Sequence, residues 1–107
     1  MRKGAQFALV FAPEAIDHVE AIERKYHRLI QQALDAQLCH TPGQQTRNRK
    51  PLQSPTPHAA TWELRFGPHN RFRAFYEIDE AGRTVHILAI GVKEGGRLRV
   101  AGEEFEL

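Results

Sequence analysis

Cysteine is almost missing from this 107-residue chain, which has only Cys39. One thiol cannot close an internal disulfide, and a cysteine-rich zinc module is excluded. Long apolar runs are missing as well. Behind Arg2 and Lys3 the apolar stretch runs only from Phe7 to Ala12, too short for a signal-peptide core with its cleavage site. No run approaches membrane-spanning length. The expectation is a cytoplasmic protein without a membrane partner. Metal-ligand spacing is lacking too: His18 and His27 are nine residues apart, and His40, His58 and His69 are scattered outside the regular elements. With no carboxylate cluster beside them, no metal and no other cofactor is expected. Repeats and low-complexity segments are absent. What is present, 41% hydrophobic and 26% charged residues, has the balance of one soluble folded domain spanning 1–107.

Net charge is only +2, but it is unevenly spread. Residues 41–73 hold Arg47, Arg49, Lys50, Arg65, Arg71 and Arg73 against one acid, Glu63. Residues 74–107 are acidic in balance. Arginine dominates the basic centre, which suits bidentate contact with phosphate; the alternative is an ordinary solvated face.

The order of elements follows from periodicity. Gly4–Phe11 reads as a first strand. Pro13 suits the first turn of a helix, with Glu14 and Asp17 at its positive end. From there to Leu38 no glycine or proline occurs, and Ile16, Val19, Ile22, Tyr26, Leu29, Ile30, Ala33, Leu34 and Leu38 recur in steps of one, three and four. One long helix and a helical hairpin both satisfy that stripe. His40–Ala60 carries four of the six prolines and reads as an irregular segment. Thr61–Gly67 and Arg71–Ile78 alternate as half-buried strands around the turn Pro68-His69-Asn70. Asp79–Arg83 is a hairpin connection. Thr84–Val92, almost wholly apolar, reads as the central strand, Arg97–Val100 as a short further strand, and Gly102–Leu107 as an acidic tail anchored by Phe105. The fold class is therefore α+β: a two-layer sandwich of N-terminal strand, helical layer, and antiparallel meander of three to four strands.

Period-two geometry sorts the side chains. Trp62, Leu64, Phe66, Phe72, Ala74 and Tyr76 should pack on the helices. Glu63, Arg65, Arg71 and Arg73 should then share the opposite face, expected to be open to solvent.

With those residues in view, the chain resembles the RelE/ParE superfamily of toxin–antitoxin toxins, within it the RelE-like branch. The resemblance runs from about Glu14 to Lys93. It rests on the mixed-charge helical segment, on Arg47-Asn48-Arg49-Lys50-Pro51-Leu52, on the paired strands Trp62–Gly67 and Arg71–Ile78, and on Val85–Lys93 ending in a basic residue. It implies a ribosome-dependent mRNA endoribonuclease restrained by a cognate antitoxin, with mRNA and the ribosome as further partners and a toxin–antitoxin hetero-oligomer as the resting form. It also implies a place for Arg73 on the catalytic strand, for Arg65 on its neighbour and for Lys93 at the end of the last strand. The family's usual Tyr, His or Lys after that strand is missing; Glu94-Gly95-Gly96 follows instead. The ParE branch shares the fold but inhibits DNA gyrase, and a toxin that only binds its antitoxin is a third reading.

Metal-free RNA cleavage uses the ribose 2′-hydroxyl as nucleophile and needs cations on the phosphate. Arg73, Arg65 and Lys93 are the expected cations. Glu63 is the candidate base, or else half of a cross-strand ion pair. Arg47, Arg49, Lys50, Arg71 and Arg97 are the expected nucleic-acid contacts. His69, in the turn beside Arg71, is a further residue within reach of a substrate, and Tyr76 is expected in the core. The helical face and the sheet edge at Arg97–Val100 are the expected antitoxin surfaces.

Overall fold

The computed structural model describes residues 6–53, 57–100 and 103–105. The first strand, β1, is Ala8–Phe11, and helix α1 follows at Pro13–Glu20 with the proline in its first turn. Ala21 caps α1, Glu23 is extended, and a 3₁₀ turn over Arg24–Tyr26 leads into α2, His27–Leu38. The apolar stripe thus belongs to two helices in series. The His27 imidazole closes the bend by a 2.8 Å hydrogen bond with the Ile22 carbonyl. Helix α2 buries Ile30, Leu34 and Leu38, one turn apart along one face.

The chain then forms β2 (Arg49–Pro51), β3 (Trp62–Phe66), β4 (Phe72–Asp79), β5 (Thr84–Glu94), β6 (Arg97–Val100) and β7 (Glu103–Phe105). The sheet order is β2-β3-β4-β5-β6-β7, with β1 lying parallel beside β5. Two expectations need correcting here. The proline-rich segment contains a strand, β2, tolerated because it is short and at the edge with Pro51 at its end. The expected acidic tail contributes β7, which pairs with β6, so Arg97–Val100 is not a free edge. The expected start of the first strand at Gly4 and Ala5 lies outside the described residues.

Strand β5 is central, as its run of Val85, Ile87, Ala89 and Ile90, each at most 1% exposed, requires. One edge pairs with β4; the other pairs with β1 over Thr84–Ile87 and with β6 from Val92 onward. In the gap between those partners, the Ile90 N–H donates to Nδ1 of His18 on α1 (3.2 Å). A buried imidazole thus satisfies a backbone donor that the sheet itself leaves unpaired.

The main core lies between the helices and the sheet and includes Leu64, Phe66, Phe72, Ala74 and Tyr76, as alternation required. The buried Tyr76 hydroxyl donates to the Pro42 carbonyl (2.8 Å), and burial raises its pKa far above the ordinary value. Cys39 is half-buried. The opposite face is not fully open, contrary to expectation. Ala60, Phe75, Ala89, Leu98 and Val100 form a second small core there. Gly91 permits this: a Cβ on it would stand 2.8 Å from Leu98 Cδ1, so only a bare backbone lets β6 fold down. The tight link into β6 is Gly95-Gly96, both at positive φ (57° and 84°), the pair of left-handed residues a two-residue hairpin needs.

Burial, with His58 adding to it, holds the His18 imidazole below its ordinary 6.5, against the pull of Asp17 and Glu14. An unfolded chain takes up this proton as pH falls past 6.5 while the folded chain still refuses it. The His18 contribution to stability is therefore intact above that pH and is lost as pH falls toward the folded value. In urea titrations between pH 7.5 and 5, the midpoint should drop, and His18→Gln should flatten the drop.

Candidate nucleic-acid cleft

The strands place a like-charged pair directly across from one another. Arg65 on β3 is opposite Arg73 on β4, and Glu63 is one pleat away on the same face. The Glu63 carboxylate resolves the conflict. Its Oε2 lies 2.9 Å from Arg73 Nε and 3.6 Å from Arg65 Nε, and its Oε1 lies 4.0 Å from Lys50 Nζ. Arg73 and Glu63 are each 3% exposed, so the expectation of a solvated surface fails for both while their shared face is as expected. The reason is cover: β2 pairs along the edge of β3 and brings Lys50 opposite Glu63, and the turn after β3 folds back onto Arg73.

That turn, Pro68–Asn70, places His69 and Asn70 at φ 55° and 53°. Arg73 Nη1 donates to the Asn70 carbonyl and, at 3.3 Å, to that of Phe72. Asn48 Nδ2 reaches Asn70 Oδ1 (3.4 Å) and the Arg65 carbonyl (3.2 Å). Burial draws the Arg73 pKa below its ordinary 12.5, Glu63 opposes the shift and Arg65 adds to it. From so high a starting value the guanidinium remains a cation at neutral pH.

Above this buried pair is an open cleft of about 520 Å³. Arg65, Arg71, Arg73 and Lys93 all line it, with His69, Asn70 and Gly95-Gly96 on its rim. Arg71 is braced by the Tyr26 hydroxyl (3.2 Å) and by Glu94 (3.6 Å), and its guanidinium stacks over Tyr26. Four cations from three strand ends and a turn thus face one concavity. Their partners are Glu63, buried beneath, and the half-exposed Glu94. Such a site attracts a polyanion and can spread guanidinium donors over phosphate oxygens.

Other sequence candidates fall elsewhere. Glu63 does not line the cleft; it positions Arg73 from below. Arg49 is 8% exposed and its Nη1 donates to the carbonyls of Gln37 (2.8 Å) and Thr41 (2.6 Å), tying β2 to the end of α2. Lys50 and Arg47 are exposed on the β2 side. Arg97 pairs with Glu104 (3.4 Å) on the hairpin beyond the cleft. Sequence reasoning missed that Arg71 and Lys93 would share a wall. The signal was the backbone bond between Lys93 N–H and the Arg71 carbonyl (2.7 Å), which no local pattern announces.

A second concavity, about 330 Å³, lies between the helices and β1, lined by Phe11, Ile16, Val19 and Ile30 among others. Ile16 on its lining and Val10 on β1 are nearly half exposed, the two exposed large apolar side chains among the described residues. No helix among those residues is long and apolar enough to cross a membrane.

The Glu63–Arg73 pair generates a stability prediction. Glu63→Ala strands a buried guanidinium against Arg65 and should cost about 3–5 kcal/mol. Urea unfolding measures it, and a loss below about 1 kcal/mol would show that the carboxylate does not hold the arrangement.

Neither a family model nor a curated protein sequence matches the chain. Among solved structures, it is similar to a chain of the toxin–antitoxin complex RelBE2 from Mycobacterium tuberculosis. The TM-score is 0.63 at 20% identity, over 83% of this chain and 100% of that one. At that identity the likeness is one of fold, and this chain has the α+β fold of that RelBE2 subunit.

Proposed function

We propose that the chain is the toxin of a toxin–antitoxin pair and acts in the cytoplasm as a metal-independent mRNA endoribonuclease on translating ribosomes. The observation that carries this reading is the convergence of Arg65, Arg71, Arg73 and Lys93 on one open cleft. Phosphodiester cleavage by the 2′-hydroxyl builds negative charge on the phosphate oxygens. A guanidinium already fixed in place, as Arg73 is, stabilises that charge without reorganising as it builds.

Arg73 is the fixed member, locked by Glu63 and by the turn carbonyls. Arg65, 40% exposed, and Lys93, at the cleft wall, are free to follow a substrate. Among the described residues the cleft lining holds cations but no Phe, Tyr or Trp on which a base would stack, so in this reading alignment of the message falls to the ribosome, to which the exposed Arg47 and Lys50 offer sequence-blind backbone contacts. Arg49, turned inward, has no part in this reading, and neither has Arg97. The fold likeness to a toxin–antitoxin complex supports a cognate antitoxin as partner in a hetero-oligomer, and the apolar groove lined by Phe11, Ile16, Val19 and Ile30 is the surface proposed for it.

Arg65→Ala and Lys93→Ala spare the core and should each slow cleavage of mRNA on translating ribosomes by about 100-fold, with relief of growth arrest on expression. Arg73→Lys, which keeps the buried charge, should cut cleavage comparably because ammonium lacks the bidentate fork. Arrest with intact mRNA and damaged DNA would instead indicate gyrase as the target.

A further inference from the structure

The cations of the cleft can stabilise a phosphate but cannot take the proton of the attacking hydroxyl. Guanidinium does not give up its proton at neutral pH, and a lysine ammonium has none of the lone pair a base needs. Of the two acids that pair with these cations, Glu63 is buried beneath them and held in ion pairs, and Glu94 is not part of the cleft lining and is drawn to Arg71 and Arg99. Imidazole is the side chain whose chemistry changes protonation state near neutrality. Among the described residues that line the cleft, one carries it: His69. Resting on the nuclease reading above, we infer that His69 is the general base of the reaction.

Three features of the structure support the assignment. The His69 ring is exposed at the rim and, among the described residues, has no hydrogen-bond or ion-pair partner. The contrast with His58 is direct. Both residues take a left-handed backbone, φ 56° and 55°, but the His58 ring is packed edge-on against His18 (5.2 Å). The turn is also held in place although its conformation is unfavourable. Two successive non-glycine residues at positive φ are costly, and they persist because Asn70 N–H donates to Gly67 O (3.0 Å), Arg71 N–H to Pro68 O (3.0 Å), and Arg73 Nη1 to the Asn70 carbonyl. Arg73 therefore fixes, through one carbonyl, the turn that presents His69. Base and principal cation are set relative to each other by the same buried guanidinium.

The step balances without a metal or a co-reactant other than water. Neutral His69 accepts the 2′-hydroxyl proton as the 2′-oxygen bonds to phosphorus. The bond from phosphorus to the 5′-oxygen breaks, and that oxygen takes a proton from water in the open cleft. A 2′,3′-cyclic phosphate and a 5′-hydroxyl result, and the imidazolium returns its proton to solvent.

The test uses the full chain on ribosomes translating a defined message, with single-turnover cleavage followed from pH 5.5 to 8.5. His69→Gly and His69→Asn both suit a left-handed φ, and thermal melting confirms that they fold. Each should slow cleavage about 100-fold to 10,000-fold, abolish the acidic limb of the pH profile and leave ribosome binding within about twofold. Added imidazole should restore part of the rate to His69→Gly and none to Arg65→Ala. If both variants cleave at near wild-type rates with the acidic limb intact, while Arg65→Ala remains impaired, the assignment to His69 is wrong and the nuclease reading stands. If the unaltered chain leaves the message intact at every pH, the nuclease reading fails and this inference fails with it.

Discussion

A single buried carboxylate allows two arginines to face each other across a strand pair. Arg65 and Arg73 are direct cross-strand neighbours, an arrangement that repels. Glu63 reaches both with one oxygen and Lys50 with the other. Burying the acid beneath the cations has two effects. Arg73 becomes rigid, and the excess positive charge is displaced upward to the cleft. Had the carboxylate lain on the rim, it would have competed with an anionic ligand for the same guanidinium groups.

The cleft also depends on features with no charge. Gly91 lets β6 fold down on the second face, so that Leu98 and Val100 pack near Phe75 and Ala89. The Gly95-Gly96 turn carries no side chain at the rim. The Pro68–Asn70 turn folds back over Arg73. Apolar packing therefore defines one end of the sheet's outer face and the polar cleft the other.

Much of this was legible in the sequence. Alternation along Trp62–Phe66 and Phe72–Tyr76 assigned each side chain to its face, because register errors would bury charges in the main core. Central burial of β5 followed from its almost wholly apolar run. Exposure was not legible, since alternation gives a side chain's direction but not what later folds over it; Arg73, Glu63 and Arg49 are buried for that reason. The choice between one helix and two was equally hidden, because the Ala21–Glu23 bend keeps the apolar stripe in phase. Strands β2 and β7 are three residues each, too short for any period to appear, and their existence depends on neighbours distant in the chain.

Strand β3 is flanked by two turns of similar kind, Pro57-His58-Ala59 before it and Pro68-His69-Asn70 after it, each with left-handed residues following a proline. Both ends of a five-residue strand are thereby clamped by backbone shapes that cannot migrate along the chain. A slip of one residue would exchange Glu63 and Arg65 for Leu64 and Phe66, reversing which face is oily and which is ionic. The paired turns act as bookends that fix the phase of the strand, so the loops on either side can vary in composition while the spacing between them cannot.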